Sequence, residues 1–192
     1  MNDFIIQAFD ESADVKRQFV RAHVDKIAQV AQLMGRAFRE GNKVLLFGNG
    51  GSATDAAHMA AEFVGRYKRE RAPLPAIALA TDIAAITCIA NDYGFEALFA
   101  RQVLAHGKKG DVAIAISTSG NSPNVLKGIQ AAKSLGLTTV AWTGGSGGML
   151  AGLADYAFVV PSTVTVRIQE SHITLAHVLC ELIEDQVLAN PA

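Results

Sequence analysis

Apolar residues recur at helical spacing through the first forty positions, with Phe19, Val20, Val24, Ile27, Val30, Leu33 and Met34 carrying the pattern. The spacing predicts a helical segment over residues 1–40, ended by Gly41-Asn42. Beyond it, short runs that are apolar throughout alternate with longer amphipathic stretches. Val44–Phe47, Ala76–Leu79, Val112–Ile116, Thr138–Trp142 and Ala157–Val160 read as strands. Ser52–Val64, Asp82–Ala90, Phe95–His106, Pro123–Leu135 and Val166–Leu188 read as helices. Strands apolar at every position are buried on both faces, which argues a parallel sheet with helices on each side. The expected fold is α/β: a three-layer sandwich around a five-stranded parallel sheet. One domain spans 1–192, with residues 1–40 as a helical extension and 41–192 as the core. Ligands of such sheets bind at the carboxyl ends of the strands.

Composition narrows the field. Half of the 192 residues are apolar and the net charge is −1, so neither nucleic acid nor an anionic membrane surface is an expected partner. The chain holds no apolar run of about 18 residues, so no membrane span is expected. The segment Met1–Ser12 lacks the basic start of a secretory signal. Cys88 and Cys180 lie far apart in apolar stretches and read as buried small hydrophobes. A reducing cytoplasm fits these features.

Two loops carry candidate chemistry. Ser117-Thr118-Ser119-Gly120-Asn121-Ser122 follows a strand and opens a helix at Pro123. Unpaired N–H groups at a helix start, together with four hydroxyls, suit a phosphate ester. The loop has no Lys or Arg, so binding there would rest on neutral donors and the helix dipole. Gly48-Asn49-Gly50-Gly51-Ser52 follows the first strand in the same way. Its spacing satisfies a loose dinucleotide fingerprint, but the acidic partner expected about 20 residues on would fall near Arg69 and Glu70, outside any strand.

The helix after that loop holds His58 and Glu62 at i, i+4, on one face. Imidazole and carboxylate at this spacing bind a metal, do acid–base work, or form an idle surface pair. In the last helix, Gln169, Ile173 and His177 follow an i, i+4, i+8 stripe, while Glu170 and His177 at i, i+7 align slightly better. Helical phase leaves Gln169 and Glu170 open as alternatives, and His172 lies off the stripe as a structural residue. Asn91-Asp92-Tyr93-Gly94 reads as ordinary turn chemistry between two helices. Arg66 opens a basic run otherwise expected to be solvated.

Taken in order, Gly48–Ser52, His58–Glu62, Gly65-Arg66-Tyr67, Pro75–Ala78, Asn91–Phe95, Ile116–Ser122, Thr143-Gly144, Arg167–Glu170 and His177 resemble the sugar isomerase (SIS) domain family over nearly the whole chain. Within it they resemble the branch that converts sedoheptulose 7-phosphate to D-glycero-D-manno-heptose 7-phosphate. The resemblance implies a flavodoxin-like or Rossmann-like sheet and a homotetramer with active sites between subunits. It also implies cytoplasmic heptose synthesis for lipopolysaccharide or a related glycan. It assigns Glu62 and His177 as the catalytic pair. It assigns Asn49, Gly50, Gly51, Ser52, Glu62, Asn91, Asp92, Ser117, Thr118, Ser119, Ser122 and Gln169 to the substrate, and His58, Glu62, Gln169 and His177 to one zinc ion per subunit. The choice of Gln169 over Glu170 comes from the resemblance alone. Two alternatives share the serine loop: a non-catalytic SIS protein that binds a replication initiator, and a sugar-phosphate sensor. Neither accounts for Glu62 together with His177.

Overall fold

The computed structural model describes residues 1–189; residues 190–192, assigned above to the same domain, lie outside the described residues. Helix α1 (Asn2–Arg39) runs without a break and ends in a turn with basic Arg36 and Arg39, the end where a helix dipole favours cations. The core then alternates: β1 (Val44–Gly48), α2 (Gly51–Val64), β2 (Ala76–Ala78), α3 (Ile83–Tyr93), a 3-10 turn at Phe95–Ala97 leading into α4 (Leu98–His106), β3 (Val112–Ile116), α5 (Pro123–Ser134), β4 (Thr138–Gly144), α6 (Gly148–Leu153), β5 (Tyr156–Val160) and α7 (Thr165–Ala189).

The strands form one sheet in the order β2-β1-β3-β4-β5, every neighbouring pair parallel. The expected five-stranded α/β sandwich is therefore found. Alternate strand residues serve opposite faces. Val44, Leu46, Ile114, Ile116, Val140, Trp142 and Phe158 pack with α1, α2 and α7. Leu45, Phe47, Ala113, Ala115 and Ala141 pack with α4, α5 and α6.

At the outer edge, α1 closes β5 with side chains. Lys26 Nζ donates to the Ala157 carbonyl at 2.8 Å, and the His23 ring sits 3.4 Å from the Val159 N–H. These contacts occupy backbone groups that an edge strand otherwise presents to solvent or to other chains.

Four details depart from the sequence pattern. Asn91–Tyr93 form the last turn of α3, not a loop, with Gly94 at φ +82° ending the helix. The 3-10 turn precedes α4, so the expected Phe95–His106 helix begins irregularly. Helix α6 was not anticipated, because six residues after a glycine cluster are too few to show a period. Cys88 is exposed rather than buried; Cys180 is buried, and burial pushes its thiol up to about 12. The first and fourth share a cause. Among the described residues of α3 no side chain is buried, although its sequence is largely apolar.

Candidate active site

The order 2-1-3-4-5 reverses direction between β1 and β3, which makes the crevice beyond those two strands the ligand position of the fold. The strands end side by side, Gly48 opposite Ile116. The two candidate loops therefore leave the sheet together. A pair of reciprocal amide bonds joins them: Asn49 Nδ2 donates to Asn124 Oδ1 at 2.9 Å, and Asn124 Nδ2 donates to Asn49 Oδ1 at 2.8 Å.

In the serine loop the hydroxyls converge. Ser117 Oγ lies 3.1 Å from Ser122 Oγ and 3.4 Å from Ser119 Oγ. Ser122 is the residue before α5, yet its side chain does not cap that helix. Its hydroxyl turns to Ser117, which leaves the first N–H groups of α5 without a side-chain acceptor from Ser122. Gly120, at φ +67°, lets the loop pack against the chain after β4; a Cβ there would overlap the Gly147 carbonyl. Thr118 and Ser119 line a cleft of about 300 Å³ with Gly144, Gly145, Ser146, Thr163, Thr165 and Ile168. All eight lining residues are uncharged, so an anion there meets hydroxyls and backbone dipoles. Ser146 and Thr163 escaped sequence reasoning because they sit in loops without periodicity, and Thr165 because it opens α7 one residue before the helix the sequence predicts.

The second cluster lies between α2 and α7, which run parallel like two uprights with successive rungs. At the first rung Gly51 faces Gln169, so closely that a Cβ on residue 51 would overlap the Gln169 amide. At the second, His58 Nε2 lies 3.2 Å from Glu62 Oε1. The His58 and His177 rings meet edge to face with centroids 5.1 Å apart. Tyr67, from the loop after α2, also stacks on His177, with centroids 5.9 Å apart. The Glu62 side chain is 24% exposed and that of His58 46%, so the cluster opens to solvent in the single chain. Glu170 turns away: Arg167 Nη1 donates to both of its carboxylate oxygens at 2.6 Å, and Arg167 also reaches Glu11 of α1. His172 is fully buried, its Nε2 3.2 Å from the Thr143 carbonyl.

Asp55 is a member that sequence reasoning missed. It shares the α2 face of Gly51, His58 and Glu62, and its i+3 spacing to His58 was the available signal. Its Oδ2 is buried without a hydrogen-bond partner among the described residues, and burial raises its carboxyl to about 6 against the pull of His58.

Asn91 and Asp92 stand apart. Both are exposed on α3. Asn91 Nδ2 donates to Asp92 Oδ1 at 2.7 Å and Cys88 Sγ lies 3.7 Å from Asp92 Oδ2. No hydrogen bond among the described residues links them to the α2–α7 cluster. Ser52 is buried at the start of α2. Arg66 is exposed, 4.0 Å from Glu70.

Among the described residues, no group of three or more His, Cys, Asp or Glu side chains is arranged to hold a metal ion. By kind, the two imidazoles and the carboxylate are ligands that zinc accepts, and they come from facing positions of two packed helices.

Comparison with known proteins agrees with this architecture. The SIS domain profile matches residues 7–144. A phosphoheptose isomerase of Aquifex aeolicus is 57% identical over 97% of this chain and 98% of its own. The solved phosphoheptose isomerase of Neisseria gonorrhoeae superposes with a TM-score of 0.90 at 41% identity, covering 96% of this chain and 98% of that one. That of Francisella tularensis gives 0.92 at 40%, covering 95% and 97%.

Proposed function

The chain belongs to the SIS domain family, and from that membership we propose how its residues divide the isomerisation of a phosphorylated heptose, the activity for which its full-length relatives are named. The observation that carries the proposal is the Glu62–His58–His177 cluster between two packed helices, one of which, α7, borders the hydroxyl-lined cleft with Thr165 and Ile168 of its first turn.

The phosphate docks at Ser117, Thr118, Ser119 and Ser122, at the open start of α5. Asn49, Gly50, Gly51, Ser52 and Gln169 line the path onward. From Ile168, which lines the cleft, to His177 is nine residues, about 13 Å of helix at 1.5 Å per residue. An extended sugar phosphate of several carbons suits that reach. Anchoring the remote phosphate spends binding energy on orienting the carbons that react.

In sedoheptulose 7-phosphate, the Glu62 carboxylate takes a proton from the carbon beside the carbonyl, and His177 gives one to the carbonyl oxygen. The product of this step is an enediol. His177 then removes the proton from the neighbouring hydroxyl, and Glu62 returns its proton to the other carbon. The carbonyl has moved by one position, giving D-glycero-D-manno-heptose 7-phosphate, and both groups are restored.

Zinc belongs to the proposal as the ion that His58, Glu62, Gln169 and His177 would hold, supported by their donor types and neighbourhood. Bound there it would polarise the carbonyl. A cytoplasmic setting, and supply of heptose for lipopolysaccharide or a related glycan, complete the reading; the free thiols Cys88 and Cys180 suit a reducing compartment.

A homotetramer with active sites between subunits is the remaining part. Its support is the uncovered apolar surface around α3: Ile83 is 76% exposed, with Tyr93, Phe95 and Leu104 also exposed. Asn91 and Asp92 lie on that surface, placed to serve a neighbouring copy.

Turnover of sedoheptulose 7-phosphate, with and without a chelator, tests the proposal. Glu62→Gln should lower kcat by about 10²-fold or more while substrate binding persists. Near-native turnover in that variant would remove Glu62 from its role. Full activity after exhaustive chelation would remove zinc.

A further inference from the structure

We propose that Glu184 and Arg71 are positioning residues for this reaction: a buried ion pair that locks the end of the Glu62 helix, and the Tyr67 ring over His177, onto α7. The inference rests on the site reading above.

Glu184 lies two turns beyond His177 on the same face of α7 and is 1% exposed. Its carboxylate accepts three successive backbone N–H groups of the loop after α2: Tyr67 at 3.2 Å, Lys68 at 3.1 Å and Arg69 at 2.9 Å. Arg71 Nε stands 3.3 Å away, at an angle that makes an ion pair rather than a hydrogen bond, with the Arg71 side chain 2% exposed. Burial alone would push the Glu184 carboxyl up. The loop N–H groups and the Arg71 charge outweigh it and hold the carboxyl below the ordinary glutamate range.

Arg71 extends the lock to α2. The last carbonyls of a helix lack partners within it. Arg71 Nη2 donates to the carbonyl of Glu62 at 2.8 Å, and Nη1 donates to that of Phe63 at 2.9 Å. The backbone of Glu62 is thus tied through one guanidinium to a carboxylate on the helix that carries His177. Tyr67, held by its N–H, lies over the His177 ring with 28° between planes. A partly exposed loop has no packing need for a fully buried carboxylate, and burying charge is costly unless it is paired and hydrogen-bonded. Here both conditions are met, and what they hold in place is the end of α2 and the Tyr67 loop against α7.

The test compares Glu184→Gln, Arg71→Lys and Tyr67→Leu with Glu62→Gln in steady-state kinetics on sedoheptulose 7-phosphate, with folded fraction measured by circular dichroism. Misplacing a catalytic group by about 1 Å costs on the order of 10²-fold. In folded protein, Glu184→Gln and Arg71→Lys should therefore lose about 10-fold or more in kcat, with KM within about threefold because the phosphate anchor is remote. Tyr67→Leu keeps the backbone anchor and folds whatever the fate of the buried pair; its kcat should fall by about threefold or more. If the buried variants do not fold, Tyr67→Leu decides. An inactive Glu62→Gln alongside wild-type kcat in every folded variant would overturn this proposal alone. An active Glu62→Gln would overturn the site reading and this proposal with it.

Discussion

His172 shows what burial does to a single titratable side chain. Its ring has no solvent contact, Nε2–H donates to the Thr143 carbonyl, and Nδ1 is buried without a partner among the described residues. Desolvation pushes its pKa down to about 4. The unfolded chain takes up the proton near 6.5 while the folded chain refuses it until about 4. Stability from the neutral ring is thus complete above pH 6.5 and is lost as pH falls from 6.5 towards 4, about 3 kcal/mol in all. Thermal denaturation across that range should show this decline, and His172→Gln, which keeps an N–H donor, should flatten it; an unchanged slope would contradict the assignment. At this scale the sequence was legible wherever one loop or one helix face defines the chemistry, as for Ser117–Ser122 and His58–Glu62. Tyr67, Arg71 and Glu184 gain their roles from α2 lying beside α7, which no local spacing reveals. Cys88 misled because an apolar neighbourhood in sequence need not be a buried one.

Elements place these residues through their ends more than through their faces. The carboxyl ends of β1 and β3 set the two loops side by side, and Asn49 and Asn124 fasten them. The serine loop then depends on Gly120, whose positive φ and contact with the Gly147 carbonyl exclude any larger residue. Gly120→Ala should destabilise the fold by about 1 kcal/mol or more and raise KM for the sugar phosphate more than it lowers kcat. A KM equal to wild type would show that the loop tolerates displacement. Long elements were readable because many turns repeat the same period; α1 and α7 are the clearest cases. The six-residue α6 was not. The last turn of α3 was hidden because Asn-Asp-x-Gly favours turns, and a helix that buries nothing within the single chain lacks the packing that would mark its length.

The whole molecule is legible first as a sheet. The strand count and the parallel pairing followed from uninterrupted apolar runs; the order β2-β1-β3-β4-β5 did not, since each crossover permits more than one neighbour. Among the described residues no helix is long and apolar enough to cross a membrane; the bare α3 surface is where the proposed neighbouring copy would sit. If a second copy supplies Asp92, then inactive Glu62→Gln and inactive Asp92→Asn chains, unfolded together and refolded as mixed oligomers, should recover part of wild-type turnover. No recovery, with mixing verified by mass spectrometry, would confine each site to one chain. The long reach of α1 has a different consequence. His23 and Lys26 meet strand positions more than 130 residues later in the chain. During synthesis at about 5–20 residues per second, the first helix emerges on the order of ten seconds before the strand it must cover. Until then its apolar stripe has nothing to rest on, so the order in which the ribosome delivers the chain makes its opening segment the one longest exposed to chance association.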